Sequence, residues 1–268
     1  MSKRTNELGT AVVTGASSGL GVVFAERLAQ RGYDLVLVAR RADRLETLAT
    51  KLRETYGVQV ANLVADLGDM AGLEKAADAI KNDASITMLV NNAGTTTMAL
   101  STATPVDKQL AMINLNVTAV TILTNAVLPG LIARDHGTVI NVGSVMGFHS
   151  LAFTSIYSGT KSYVEGFTRG LQEELKDTKV VVQLLAPAST ATEIWEVGGY
   201  PLSALDPAIV MTIEDCVDAA LSGLAQGELF TLPSVENKQL QDEYEQARLK
   251  LFAASQVSGR PASRYKLN

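Results

Sequence analysis

Tyr157 and Lys161 stand four residues apart in the segment Ser155–Lys161, which reads S-I-Y-S-G-T-K. Residues at i and i+4 share one face of a helix, so a helix beginning near Ser155 would direct the phenol and the ammonium to one spot. A tyrosine has an ordinary pKa of about 10, and a nearby cation favours its ionised form and lowers that pKa. The pair therefore predicts a general acid/base near neutral pH, although the same spacing also arises by chance between two common residues.

The helix that must position this pair has its own signals. Ser155 is a candidate N-cap, and apolar residues then recur at spacings of three, four and four residues, at Val164, Phe167, Leu171 and Leu175. This stripe would face the core and leave the Tyr157 and Lys161 side chains on another face.

The composition of the 268-residue chain narrows the classes of partner. A net charge of -5 provides no basic field for nucleic acid or for an anionic membrane. Cys216 is the only cysteine and can form no internal disulfide, and Met1–Glu7 lacks the apolar segment of a secretory signal. No apolar run approaches the about 20 residues that span a bilayer. We expect a cytoplasmic protein, with His136 and His149 structural or at the surface and no metal site.

Short β-branched runs alternate with amphipathic stretches along the chain, which predicts an α/β fold with a parallel sheet and helices on both faces. We predict strands near residues 10–15, 34–39, 58–64, 86–91, 137–143, 179–186 and 228–232, and helices near 19–31, 42–56, 71–82, 106–133, 156–176 and 213–226. The sequence contains no linker, repeat or low-complexity segment, and this favours one domain.

The first predicted strand leads into a glycine-rich turn, Thr14–Gly21, and then into a helix. Glycines between a strand and a helix let the backbone approach a pyrophosphate closely, and the helix N-terminus offers free N–H groups to the anion. The turn therefore predicts a dinucleotide site, with an ordinary glycine-rich turn as the alternative. Its G-x-x-x-G-x-G spacing differs from the common G-x-G-x-x-G fingerprint.

The second strand ends at Arg40 and Arg41, where an NAD-binding protein would carry a carboxylate for the ribose. Two cations at a helix N-terminus are disfavoured by the helix dipole, and a bound anion would resolve this conflict. The 2'-phosphate of NADP(H) fits, with Arg40 as its partner and Ser17 as a helper; the alternative is that both arginines are solvated surface residues. After the third strand, Asp66 would contact the adenine or cap a turn.

Three motifs now stand in order: the turn Thr14–Gly21, the N-N-A-G segment Asn91–Gly94, which suits a loop lying against a flat ligand, and the Tyr157/Lys161 pair. In this order and at these separations the chain resembles the short-chain dehydrogenase/reductase family over about residues 9–234. The resemblance implies a Rossmann-like, doubly wound seven-stranded sheet in one domain and an NADP(H) cofactor. Residues expected to bind it are Gly15, Ser17, Ser18, Gly19, Leu20, Gly21, Arg40, Asp66, Leu67, Asn92, Ala93, Gly94, Tyr157, Lys161, Pro187, Thr190 and Thr192.

The resemblance also implies a catalytic set of four residues. Ser144, thirteen positions before Tyr157, would pair with the tyrosine, and Asn116 would hold a water in a proton relay to Lys161, with Asn114 as its alternative. After the sixth strand, Ala188 replaces the glycine that the family usually shows, so the turn there must avoid positive φ or absorb strain.

We predict that residues 1–234 form the catalytic domain and that a substrate lid lies within it, at about residues 188–212. Residues 235–268 are expected to extend the same domain as a helix and tail. Met146, Phe148, Phe153 and Trp195 are expected to line an apolar substrate pocket. Ser162, Gly166 and Gly170 form a small-residue stripe that would pack either on the protein's own sheet or in a homodimer or homotetramer.

The resulting hypothesis is an NADPH-dependent oxidoreductase that interconverts a ketone or aldehyde and an alcohol, with Tyr157 as the general acid/base. One alternative is an NADP(H)-binding redox sensor without turnover, and another is an NAD-linked alcohol or hydroxy-acid dehydrogenase.

Overall fold

A computed structural model of the chain describes residues 8–266, so the prediction for Met1–Glu7 lies outside the described residues. The chain divides into two compact units, Met1–Pro233 and Ser234–Asn268. The second unit contains helix α9, Lys238–Ser255, none of whose residues is buried, and a 3₁₀ turn at Ser263–Tyr265. That residues 235–268 extend the same domain stays a prediction.

The first unit is built on one sheet of seven strands, all paired in parallel, in the order β3-β2-β1-β4-β5-β6-β7. The strands are β1 (Thr10–Thr14), β2 (Asp34–Ala39), β3 (Val60–Val64), β4 (Ile86–Asn91), β5 (Gly137–Val142), β6 (Val180–Leu185) and β7 (Phe230–Thr231). This confirms the predicted Rossmann-like sheet. Strand β7 has two residues instead of the predicted five, because it is an edge strand that pairs only with Leu184 and Leu185.

Helices cover both faces of the sheet. In the first unit they are α1 (Leu20–Gln30), α2 (Ala42–Tyr56), α3 (Met70–Lys81), α4 (Val106–Ile113), α5 (Ala119–Ala133), α6 (Ser155–Glu174), α7 (Ile194–Val197) and α8 (Ile213–Ala225). One buried cluster joins α1, α2 and α8 to the sheet and contains Phe24, Leu45 and Val217. A second cluster joins α3, α5 and α6 to the sheet, and Leu73 and Leu123 are among its members.

The predicted helix 106–133 is continuous but not uniform. A π-helical segment, Asn114–Thr118, separates α4 from α5. The stretch Val106–Ala133 is the one helix in the described part of the chain that is long and apolar enough to cross a membrane by length and composition, with a mean hydropathy of 1.6. The expectation that no apolar run approaches the length that spans a bilayer is therefore wrong. A helix that packs against a sheet also carries many apolar residues, because one of its faces is buried. In the apolar 18-residue window of this helix, 44% is buried inside the structure.

Buried amide and hydroxyl groups fix α6 against the sheet. The amide nitrogen of Asn91 in β4 donates to Asn141 Oδ1 in β5 and to Thr124 Oγ1 in α5, both at 2.9 Å. Asn141 Nδ2 in turn donates to Thr168 Oγ1 in α6 at 3.0 Å. Because each of these bonds is directional and buried, they hold two strands and two helices in one register beneath the end of the sheet.

Candidate active site

A cavity of about 510 Å³ opens at the carboxyl ends of the strands. Its lining includes residues at or just after the ends of β1 to β6, among them Gly15, Ala39, Asn92, Val142 and Pro187. In open parallel sheets, ligands bind in the crevice outside these strand ends. The cavity therefore lies where the fold places a binding site.

The structure brings nearly all the predicted site residues into this cavity. Three of the four predicted catalytic residues line it, as do sixteen of the seventeen predicted cofactor residues and three of the four predicted pocket residues. Gly21 is excluded because it packs beneath the turn, where an added Cβ would collide with the Gly15 carbonyl oxygen. Phe148 does not line the cavity and is 42% exposed, so its assignment to the pocket is wrong. It follows the short 3₁₀ turn Val145–Gly147.

The glycine turn and the N-N-A-G segment are tied together by Thr14. Its hydroxyl donates to Val90 O at 3.1 Å and accepts from the backbone N–H groups of Asn92 and Ala93 at 2.9 and 3.0 Å. Gly15, with φ of 67°, leaves no room for a side chain, because an added Cβ would lie 2.9 Å from Ala93 Cα. The two motifs are thus one rigid wall of the cavity.

The N-terminus of α1 is open to an anion. Its N-cap is Gly19, at φ of 58°, which has no side chain to bind the first N–H groups, and the first turn, Leu20–Val22, has no carboxylate. Helix N-termini with free N–H groups and a positive dipole end bind phosphates. The residues present therefore fit the pyrophosphate of a dinucleotide.

Arginines flank this turn in an arrangement that the sequence predicted only in part. Arg40 is 73% exposed in its side chain and lies 3.6 Å from the Asp66 carboxylate, while Asp66 Oδ1 accepts the N–H of Gly68 at 2.9 Å. Arg41 instead reaches the turn and donates to Ser17 Oγ at 3.0 Å and to Ser18 Oγ at 2.8 Å. Arg41 was missed as a site residue, although its position beside Arg40 at the start of α2 was the available signal.

Tyr157, Ser144 and Lys161 line the cavity at the end of β5 and the start of α6. Lys161 Nζ donates to Val142 O at 2.8 Å and lies 5.7 Å from the centroid of the Tyr157 ring. Burial raises the pKa of Tyr157 to about 12, against the lowering effect of its hydrogen bond with Ser144. Burial also lowers the pKa of Lys161 to about 8. The prediction that the pKa of Tyr157 is lowered is therefore wrong for this structure, because burial raises the pKa by more than the Ser144 hydrogen bond lowers it.

Asn116 lies in the π-helical segment and is buried, whereas Asn114 is exposed, so Asn116 is the residue directed inward. Its Oδ1 accepts the N–H of Thr95 at 2.9 Å, and its Nδ2 donates to Thr95 O at 2.9 Å and to Thr160 Oγ1 at 3.1 Å. An added Cβ on Gly94 would lie 3.3 Å from Asn116 Oδ1 and 3.9 Å from Lys161 Nζ, which places these groups side by side. The water relay through Asn116 stays a prediction.

The segment after β6 carries the lid without backbone strain. Among the described non-glycine residues only Asp135 and Lys266 have positive φ, so the turn at Ala188 avoids the left-handed region. The indole nitrogen of Trp195 donates to Thr190 O at 2.8 Å, and the backbone N–H of Met98 donates to Gly198 O at 2.8 Å. These bonds hold the lid helix α7 over the cavity.

The apolar wall beneath the lid is larger than predicted. Besides Met146, Phe153 and Trp195, the cavity is lined by residues that the sequence did not mark: Thr96, Met98, Leu151, Val197, Tyr200 and Leu205. Val197 lies in the four-residue helix α7 and the others lie in loops, where apolar residues have no helix or strand periodicity to reveal them. Over residues 8–266, no group of three or more His, Cys, Asp or Glu side chains could hold a metal ion.

Comparison with known proteins gives one consistent result. The sequence profile of the short chain dehydrogenase family matches residues 9–198. A solved structure of a short-chain dehydrogenase from Sphingobium yanoikuyae in complex with NADPH is 39% identical, with a TM-score of 0.92, over 96% of this chain and 100% of that one. A bulky-bulky ketone specific alcohol dehydrogenase from Comamonas testosteroni is 35% identical, with a TM-score of 0.88, over 97% of this chain and 99% of that one.

A curated relative from Anas platyrhynchos, named very-long-chain 3-oxoacyl-CoA reductase, is 34% identical over 193 residues, which are 69% of this chain. The match spans only 60% of that relative's length.

We predict that the buried ammonium of Lys161 makes stability depend on pH. The pKa is about 8 in the folded protein against an ordinary 10.5, so between these values the unfolded state binds more protons and stability rises with pH. From pH 8 to 10 the free energy of unfolding of the wild type should gain about 2 kcal/mol relative to Lys161→Met. Urea denaturation of both proteins across this range measures it. Parallel curves would show that Lys161 titrates normally.

Proposed function

The chain belongs to the short-chain dehydrogenase/reductase family, and on that premise we propose that it is an NADP(H)-dependent oxidoreductase interconverting a ketone or aldehyde with an alcohol. The observation that carries the proposal is the meeting of Ser144, Tyr157 and Lys161 in the same cavity as the glycine turn. A redox sensor without turnover would have no use for this trio.

The cofactor site is supported by groups on this chain. The α1 N-terminus and the glycines of the turn would hold the pyrophosphate, and Arg40, Arg41 and Ser17 would hold the 2'-phosphate. The neighbour from Sphingobium yanoikuyae was solved with NADPH. When bound, the cofactor supplies a hydride to the carbonyl carbon in reduction and accepts one in oxidation.

Tyr157 would give the proton to the carbonyl oxygen in reduction and take it back in oxidation. Burial raises the pKa of the phenol to about 12, so the phenol holds its proton throughout the physiological range and begins the reduction as the proton donor. Ser144, hydrogen-bonded to Tyr157, would orient the carbonyl oxygen toward the phenol. The Lys161 ammonium would stabilise the phenolate that forms and hold the ribose, and Asn116 would hold a relay water beside it.

We infer a neutral ketone with bulky apolar groups on both sides of the carbonyl. Apolar side chains line the cavity both from the loop after β5, such as Leu151 and Phe153, and from the lid, such as Val197 and Tyr200. Among the described lining residues, the only basic ones are Arg40, Arg41 and the catalytic lysine, so the lid end has no cation to meet the phosphates of coenzyme A. The name of the Comamonas neighbour agrees with this class, and that of the Anas relative points to a different one.

We predict that Tyr157→Phe abolishes turnover and keeps the cofactor. The substitution removes the acidic hydroxyl, and general acid/base transfer contributes typically about 10² to 10⁴ in rate. NADPH oxidation should be followed with diphenyl ketones, acetone and acetoacetyl-CoA, beside NADPH titration by nicotinamide fluorescence. Wild type should favour the diphenyl ketones, and the variant should lose at least about 10² in kcat with an unchanged NADPH affinity. Wild type that binds NADPH but reduces no ketone would favour the redox sensor.

Cofactor preference tests Arg40 separately. We expect NADPH to bind at least about tenfold more tightly than NADH, because a guanidinium gains charge-assisted bonds to the 2'-phosphate. Arg40→Asp should erase this preference, and Arg31→Gln, at an exposed arginine that ends α1, should keep it. Fluorescence titration of both cofactors measures it. Equal affinity of the wild type for NADH would favour the NAD-linked alternative.

We further propose a cytoplasmic homodimer or homotetramer. Gly166 and Gly170 of α6 have nothing within 4 Å of an added Cβ, so these two positions are not packed on the protein's own sheet. Exposed apolar side chains lie on α6 itself, at Tyr163, and on α4, which contacts α6, at Val106 and Leu110. Light scattering on the protein purified without detergent should give a molecular mass of at least twice the 28.4 kDa of one chain. A monomer, or protein recovered only with detergent, would contradict this.

A further inference from the structure

Glu193 forms a clasp with two arginines of another element. It follows Thr192 directly and is the N-cap of lid helix α7. Its carboxylate lies 3.1 Å from Arg41 Nη1 and 2.8 Å from Arg44 Nη1. Arg41 is the N-cap of α2 and Arg44 lies in its first turn, so the clasp joins the lid to the helix that follows β2.

The clasp answers the electrostatic conflict at the start of α2. Two cations there oppose the helix dipole, and a carboxylate between them relieves that opposition. The Arg44 guanidinium, with a smaller effect from Arg41, holds the pKa of Glu193 below its usual range. Glu193 is therefore ionised at neutral pH and supplies from within the chain an anion that the arginines attract.

Arg41 extends the clasp to the glycine turn. The guanidinium that contacts Glu193 also donates to the hydroxyls of Ser17 and Ser18, at 3.0 and 2.8 Å. A chain of polar contacts thus runs from the turn through Arg41 to the N-cap of lid helix α7. The two serines, Arg41 and Glu193 all line the cavity, whereas Arg44 does not.

We propose that Glu193 is a positioning residue that latches the lid over bound NADP(H) and slows its release. The inference rests on the proposed function, since it takes the cavity to be the cofactor site. A dinucleotide lying between the glycine turn and the segment Thr190–Trp195 leaves only when these walls separate, and the clasp is a bond between them. Because the latch acts on the wall, it retains NADPH and NADH by the same factor, with or without a 2'-phosphate.

The test is the release rate of NADPH and of NADH, measured by stopped-flow displacement and nicotinamide fluorescence. The carboxylate and guanidinium side chains are about half exposed, so a latch of this kind is worth about three- to tenfold in rate. We expect Glu193→Gln to release both cofactors faster by that factor. Added salt should speed release from the wild type more than from the variant, because it screens the clasp.

Arg44→Gln separates the latch from direct contact with the cofactor. Arg44 is outside the cavity lining and donates to Glu193, so its loss breaks the clasp without removing a direct contact with the cofactor. We expect faster release with Arg44→Gln, and a double variant with Glu193→Gln that is no faster than Glu193→Gln alone. The control is Lys51, which lies in α2 like Arg44 but pairs with Glu26 of α1. Lys51→Gln removes that ion pair and should leave the release rate unchanged.

Three results would overturn the latch: unchanged release in Glu193→Gln, slower release, or acceleration confined to NADPH. Slower release would mean that the carboxylate competes with cofactor phosphates for Arg41. Acceleration of NADPH alone would mean repulsion of the 2'-phosphate. Failure of the proposed function is distinct. If the wild type binds neither cofactor, no release is observed, and if it binds NADPH but reduces no ketone, the release rates still test the latch.

Discussion

One buried charge sets the conditions that the site must meet. Lys161 places its ammonium inside the protein, where its side chain donates to the carbonyl oxygen of Val142. Moving a cation out of water is costly unless a fixed polar group receives it, and the lowered pKa of Lys161 records that this cost is only partly met. The carbonyl is available because β5 ends at Val142, so the end of β5 and the position of α6 are both conditions for the charge.

The polar core beneath the site explains how α6 stays in place. Hydrophobic contacts alone tolerate small slides of a helix over a sheet, whereas directional hydrogen bonds do not. The bonds from Asn91 to Asn141 and from Asn141 to Thr168 join β4, β5 and α6 at the level of the catalytic side chains. A shift of α6 would leave buried amides unpaired, at about 1–3 kcal/mol for each group. This penalty holds α6 in one position on the sheet and therefore fixes the position of Tyr157.

Sequence periodicity was sufficient for the sheet and for the motifs at its strand ends, because both depend on neighbours in the chain. It was insufficient for properties that depend on residues far apart in the chain. Burial by several elements raises the pKa of Tyr157, although the local Lys161 predicts the opposite. Phe148 does not line the cavity although Met146, two residues earlier, does, so closeness in the chain is a poor guide to the pocket wall. The contact of Glu193 with Arg41 spans 152 residues, so no local pattern contains it.

The two ends of the cavity differ in charge. Arg40, Arg41 and Arg44 cluster at the start of α2 in a chain whose net charge is -5, while the wall under the lid is formed by apolar side chains such as Phe153 and Val197. In the proposed function this local positive field would attract the anionic dinucleotide to one end, and a neutral ketone would gain from burial at the other. The lid connects the two ends, because Glu193 pairs with Arg41 and Arg44 while Trp195 lines the cavity. In the proposed function one segment would therefore lie against both the cofactor and the substrate, so the two ends of the cavity would not bind independently.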